Sequence, residues 1–429
     1  MKTLGIDFGT SNSAAGYVKD GKPHLIEMET GQNTLPTSVF FDFDSQSTFF
    51  GENANTALIE GEYGRFMRAL KSVLGTSLMR EKRRLMGERL DFIDIIARFL
   101  SEIKRRAEIA SGQEFRHALS GRPVHFHSED AKKDQQALID LRECYLRAGF
   151  DDVDFMFEPE AAALANHKHL SQGKIGLIID IGGGTSDFSV FKTGEADNIS
   201  VIASHGVRVG GTDFDRKISI DHVMPLLGKG SQIRKDFGTE TITAPNGIFH
   251  SLATWEKIPF LYTPESRRDA AELKKYAVDG HLLNRLTTAL NDELGHDMAF
   301  AVERGKIDAN RQDNAKAIID LNVLERGLSA DLSQQNMQNS LADLTAKIDI
   351  CAQETLKLAG LTASQIDSLV FVGGSSLMAI VETMMLDRFP TATPHRTSAF
   401  TAVVEGLALA ADQADKRFTN ASVSANIVK

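Results

Sequence analysis

Apolar residues near the start of the chain fall into short strand-length runs. "TLGIDFG" (3–9) is one, ending in an acid and a glycine. "SAAGYVKDGKPHLIEM" (13–28) is two such runs about Asp20-Gly21, the dipeptide of a tight hairpin. "SVFFDF" (38–43) reads as a further strand. Residues 52–120 read as mostly helical, most clearly in "LDFIDIIARFLSEIKRRAEIA", where apolar residues recur at three- and four-residue steps. "PVHF" (123–126) predicts a short strand, and "SEDAKKDQQALIDLRECYLRAG" (128–149) an amphipathic helix ending at Gly149. "FEPEAAALANHKHL" (157–170) predicts a helix, with Pro159 in its first turn and an alanine run behind it.

A second strand and hairpin set then begins, "KIGLIIDIGGGTSDFSVFKTG" (174–194) followed by "ISVIASHGV" (199–207). After "VGGTDFDRKI" (209–218) the pattern is helix-rich but weak to about residue 350. "IDSLVFVGGSS" (366–376) predicts a late strand and tight turn. Two helical segments follow, "LMAIVETMMLDRF" and "SAFTAVVEGLALAADQ", and the polar tail "FTNASVSANIVK" predicts a frayed end.

The two hairpin sets carry nearly the same phrase, "GIDFGTSNS" at 5–13 and "IDIGGGTSD" at 179–187. Each is an apolar strand, an Asp, then a glycine-rich turn with Thr or Ser. The expectation is a duplicated α/β protein with halves at 1–170 and 171–360. A helix-rich insertion is expected at about 225–310, with the segment 361–429 returning to the first half. Small residues leave backbone N–H groups uncovered, so phosphate oxygens can approach closely. Thr10, Ser11 and Ser13 add hydroxyls to the first turn, and Gly182, Gly183, Gly184 and Thr185 form the second. Asp7 and Asp180, at the strand ends, would repel a polyphosphate without a cation between them. Magnesium, held through water by one or two carboxylates, answers that need. Neither turn has the GxxxxGK(S/T) or GxGxxG spacing.

Composition narrows the rest. The 429 residues carry a net charge of -10, which argues against nucleic-acid binding through a basic surface. Two cysteines without CxxC spacing offer no disulfide framework or zinc site. No apolar run reaches membrane-spanning length, and no signal-peptide pattern precedes the first strand. A cytoplasmic protein without a membrane partner is expected.

The two turns resemble the phosphate loops of the actin-like ATPase superfamily, in the form of the heat-shock protein 70 (DnaK-type) chaperones. "NTLPTSVFF", "KSVLG", "GRPVHF", "FEPEAAAL", "VGGTDFD" and "FVGGSS" resemble further family segments in the same order, from residue 3 to about 411. The resemblance implies an actin-like (ribonuclease H-like) duplicated α/β fold with a nucleotide cleft between two lobes. It implies ATP or ADP with Mg2+, and K+ as a second cation. By resemblance Asp7 and Asp180 hold the water shell of magnesium. Gly9, Thr10, Ser11, Asn12, Gly182, Gly183, Gly184, Thr185, Gly210 and Gly211 lie along the phosphates. Lys71, Glu158, Asp180 and Asp187 carry catalysis, Lys71 by orienting water and neutralising the transferring phosphoryl group. Pro123 matches a proline that relays nucleotide state. Glu303, Lys306 and Asn310 match the ribose and base contacts, and Gly373, Gly374 and Ser375 the adenosine turn. Asn310 stands where the family usually has serine, and Leu377 where it commonly has an adenine-stacking arginine. The chaperones continue into a client-binding domain, so a short form without that domain is expected. Its partner is expected to be an unidentified protein or co-chaperone. The competing reading is a weakly or non-hydrolysing actin-like filament or nucleotide sensor. A third reading, a small-molecule kinase of the same superfamily, needs a carboxylate base facing an acceptor hydroxyl, and the sequence offers no match for one.

Overall fold

The computed structural model describes residues 2–166, 172–194, 199–234, 240–311, 317–396 and 401–427, with side chains of the last segment described to residue 415. The chain packs as two compact units, residues 1–211 with 347–429, and residues 212–346.

The first unit is built on two sheets. In one, strand Thr3–Phe8 pairs antiparallel with Asn12–Lys19, which pairs with Lys22–Leu25. On its other side Thr3–Phe8 runs parallel to His117–Arg122, which runs parallel to Asp152–Phe157. In the other sheet Ile175–Ile181 pairs antiparallel with Ser186–Thr193, and that with Ile199–Val207. Its parallel neighbours are Ser368–Val372 and then Thr393–Arg396. The two sheets therefore share one strand order and one set of directions. The hairpin at Asp20 and Gly21 has positive φ at both residues, 52° and 74°, the tight turn whose twist matches its strands.

Several sequence expectations need correction. "SVFFDF" is a strand as expected, Ser38–Asp42, and it pairs with Ser47–Phe50 and Gly64–Arg68 in a separate three-stranded sheet. Residues 52–120 are less helical than expected. Strand Gly64–Arg68, two 3-10 turns and a hairpin of Arg83–Leu85 with Glu88–Leu90 lie between helices Glu52–Ile59 and Phe92–Ser111. The strand expected at "PVHF" is instead His117–Arg122. Its small Ala118, Ser120 and Gly121 are buried between parallel neighbours, so it shows no alternation of apolar and polar residues. In the tail, the helical backbone of Ala402–Ile427 runs through the stretch expected to fray. Of "FEPEAAALANHKHL", Glu158–Asn166 is helical and residues 167–170 lie outside the described residues.

Helices fix the sheets in place. Phe92–Ser111 starts at a reciprocal cap between Asp91 and Asp94 and ends at Gly112 with φ 67°. Segment 361–429 contributes both strands and helices. Two of its strands complete the second sheet, while helix Ala402–Ile427 packs on the first sheet and on helix Glu158–Asn166. Ala161, Ala162 and Ala163 meet Ala402, Val403 and Leu407 in a buried cluster with Ile178 and Phe191. A Cβ on Gly406 would overlap the carbonyl of Ala161, so only glycine allows this approach. Asp415 accepts hydrogen bonds from Thr3 N (2.9 Å) and Thr3 Oγ1 (2.7 Å), tying the last helix to the first strand.

The second unit is helical, with Pro264–Tyr276, Gly280–Asn291 and Gly295–Asn310 as its longer complete helices. Phe249, Trp255, Ile258, Leu283 and Leu286 form part of its buried interior. Two small hairpins, Gln232–Arg234 with Thr241–Thr243 and Ile318–Asp320 with Ser329–Asp331, complete it.

Candidate active site

The duplicated topology puts equivalent residues at equivalent places. Asp7 is the penultimate residue of Thr3–Phe8, and Asp180 the penultimate residue of Ile175–Ile181. Each strand then enters its glycine-rich turn. In the first turn, Ser11 O accepts a hydrogen bond from Thr37 N (2.9 Å), and the Ser13 and Thr37 hydroxyls are 2.8 Å apart. The "TLPTS" segment thereby holds this turn from behind. Gly9 closes on Asn12, whose carbonyl a Cβ at position 9 would strike. In the second turn, Gly182 N donates to Thr185 O and Gly211 N donates to Gly182 O, both at 3.0 Å.

The two turns touch. A Cβ on Gly183 would lie 2.5 Å from Ser11 Oγ and 3.0 Å from Thr10 Cβ. One on Gly184 would lie 2.9 Å from Thr10 Oγ1, and one on Gly210 would lie 2.5 Å from Gly184 N. The "VGGSS" turn joins the same neighbourhood. Gly373, at φ 79°, sits against the Ile181 carbonyl and Asp180, and a Cβ on Gly211 would meet Ser375 Oγ. Gly374 opens the short turn Gly374–Leu377, where Leu377 is 41% exposed.

Lys71 lies on the 3-10 turn Leu70–Val73, behind Ala69 in the left-handed region at φ 58°. Its Nζ is 2.5 Å from Glu158 Oε1, and both residues are buried. Burial opposes the Lys71 charge, but Glu158 and then Asp7 outweigh it and raise its pKa. Asp187 accepts a hydrogen bond from Val124 N at 2.7 Å. Burial and the Glu158 charge push it to about 7, against the Thr185 hydroxyl, Val124 N and Lys71. Burial and Glu158 likewise push Asp7 to about 7, with Lys71 opposing. Asp180 is held well above the ordinary carboxylate range by burial, then by Glu158, Asp187 and Asp7.

Four carboxylates thus share one buried ammonium, an imbalance that a divalent cation relieves. Among the described residues no group of three or more His, Cys, Asp or Glu could hold a metal ion directly. An all-carboxylate donor set suits a hard divalent cation that keeps much of its own water shell, as magnesium does.

Glu303, Lys306 and Asn310 lie on helix Gly295–Asn310 of the second unit. Lys306 is buried, with its Nζ 2.6 Å from Asp215 Oδ1, while Trp255 Nε1 donates to Asp215 Oδ2 at 3.2 Å. Glu303 is close enough to raise the Asp215 carboxyl, after burial as the main cause and against Lys306. The partner of Lys306 is therefore a buried acid of the "VGGTDFD" segment, which sequence reasoning had not singled out. It also missed Ser72, His127 and Arg208, which lie beside Lys71 and the second turn. Their only signal is polarity near a motif, because their contacts join residues far apart in the chain.

Two sheets of one topology, each ending its first strand in an acid and a glycine turn, define the actin-like ATPase fold. The protein family described as Hsp70 protein matches residues 3–241 and 285–419, and the chain belongs to the Hsp70 family. The unmatched residues 242–284 fall in the helical second unit. Among curated relatives, chaperone protein DnaK of Thermoplasma volcanium is 33% identical over 248 residues, covering 55% of this chain and 38% of that protein. The alignment thus spans well under half of that relative's length. No described helix is long and apolar enough to cross a membrane.

Proposed function

We propose that the chain binds Mg-ATP and hydrolyses it, acting as a chaperone-like, nucleotide-driven conformational switch. The observation that carries this reading is the buried Lys71–Glu158 pair, set among Asp7, Asp180 and Asp187 behind two touching glycine turns. Thr10, Ser11, Gly183 and Thr185 would present donors to the phosphates. Asp7 and Asp180 would hold the hydrated magnesium, which when bound offsets phosphate charge. Lys71 would neutralise charge on the transferring phosphoryl group, and Glu158 would keep the ammonium at that point. Phosphoryl transfer depends mostly on positioning and electrostatics, which a buried cation on a fixed turn supplies. Because the ligand is held by turns from both sheets, it favours the state in which those turns approach.

Equilibrium binding of ATP, with magnesium and with excess EDTA, tests the reading. Affinity is expected to depend on magnesium, and Asp180→Asn should weaken it by roughly tenfold, the worth of one charged hydrogen-bonding group. Equal affinity in all three conditions would overturn the site.

A further inference from the structure

A cavity of about 460 Å³ lies in the second unit, between helices Gly247–Leu252 and Pro264–Tyr276. That volume falls within the roughly 300–1,000 Å³ of small-molecule sites. Every residue that lines it belongs to 242–284, the stretch outside the two segments matched to the Hsp70 family. Its chemistry therefore comes from this chain's own sequence and not from the matched pattern.

Each helix divides its faces between the interior and the cavity. On the shorter one Phe249 and Leu252 are buried in the interior, while Ile248 lines the cavity. On the longer one Ala270 is buried. Ser266, Asp269, Glu272 and Leu273 line the cavity, at the three- and four-residue steps that share one face. Leu261, from the connection between the helices, adds to the apolar wall. Asp269 and Glu272 are exposed, and among the described residues neither side chain has a hydrogen-bonding or ion-pair partner. Three apart on one face, the two carboxylates repel each other. No Lys, Arg or His among the described residues lines the cavity. The cations of the same helix turn elsewhere. Arg267 Nη2 donates to Glu293 Oε1 at 2.8 Å and Lys274 Nζ to Asn284 Oδ1 at 2.7 Å, while Lys275 Nζ stands 5.0 Å from the centre of the Tyr276 ring. Arg268 pairs with neither acid. The cavity thus joins an apolar wall to two uncompensated negative charges.

We propose that this cavity binds a small organic cation, an apolar body that carries a protonated amine. The apolar body displaces water from Ile248, Leu261 and Leu273, and the ammonium donates to Asp269 and Glu272 and relieves their repulsion. The Ser266 hydroxyl accepts from Thr263 Oγ1 at 3.1 Å, so its own hydrogen is free for an acceptor on the ligand. A concave space of this size favours a free small molecule over a flat protein surface. The site uses no residue of the glycine turns, so it stands independently of the Mg-ATP reading.

The test titrates the full chain at neutral pH, by calorimetry, with three probes of one shape: phenylbutylamine, phenylbutanol and phenylbutyrate. The amine should bind about tenfold more tightly than the alcohol, the factor carried by one charge-assisted hydrogen bond, and the carboxylate should not bind. Asp269→Asn combined with Glu272→Gln should bring the amine down to the affinity of the alcohol, and both positions are exposed, so the fold is kept. Gly247 also lines the cavity, and a Cβ there meets nothing within 4 Å. Gly247→Trp should therefore fill the space and abolish binding while the melting temperature holds. Equal affinity for amine and alcohol, or none for either, overturns the proposed ligand chemistry. Amine binding that survives both Gly247→Trp and the double neutralisation overturns the location. Binding of an acetylated, amidated Leu-Lys-Leu peptide where the amine fails overturns the small-molecule site and makes the cavity a docking surface for a protein.

Discussion

At position 71 one ammonium faces Glu158, Asp7 and Asp187, and it opposes the upward shifts of Asp7, Asp180 and Asp187. This has a cost without ligand. Asp7 rises from 3.8 to about 7, so between those values the folded chain holds a proton that the unfolded chain has lost. The slope of unfolding free energy is then negative, and this group's contribution to stability falls as pH rises through that window. Asp7→Asn should therefore raise the melting temperature of the nucleotide-free protein at pH 8, by an amount corresponding to about 1 kcal/mol or more. Below pH 4 the difference should vanish. Thermal melts at the two pH values check this, and equal melting at pH 8 would mean the carboxylate is not strained. Asp7, Asp180, Thr10 and Thr185 could be found from sequence because each lies within a short repeated phrase. Arg208 could not, since its partners Ser72 and His127 are 136 and 81 positions away.

Between elements, the crossing of helices Glu158–Asn166 and Ala402–Ile427 is set by backbone contact rather than by large side chains. Gly406→Val should cost about 3 kcal/mol, because its Cβ meets a carbonyl that cannot move without moving the helix that starts at Glu158. Gly21→Ala meets no neighbour and strains only φ, so it should cost about 1 kcal/mol. Denaturant midpoints of the two variants distinguish a packing role from a turn preference, and equal losses would refute it. The hairpin at Asp20-Gly21 was legible because its signal is local. Thr393–Arg396 was not, being four residues long with Pro394 at a sheet edge. Asp152–Phe157 carries two acids and also escaped notice.

Across the whole molecule, the repeated phrase announced the duplication, and the matching strand orders display it in three dimensions. The extent of the second unit was not legible. Helices Gly211–Ile218 and Gln334–Ala359 run through its limits at 212 and 346, so no break in secondary structure marks them. In the proposed cycle the buried Lys71–Glu158 pair serves phosphoryl transfer. Single-turnover hydrolysis of Mg-ATP by the intact chain and by Lys71→Ala, with affinity measured separately, addresses it most directly. Lys71→Ala should keep ATP affinity within about threefold while cleavage falls by roughly a hundredfold, the pattern of a group that acts in the transition state. Cleavage at the parent rate in Lys71→Ala would mean that the Lys71–Glu158 pair takes no part in phosphoryl transfer.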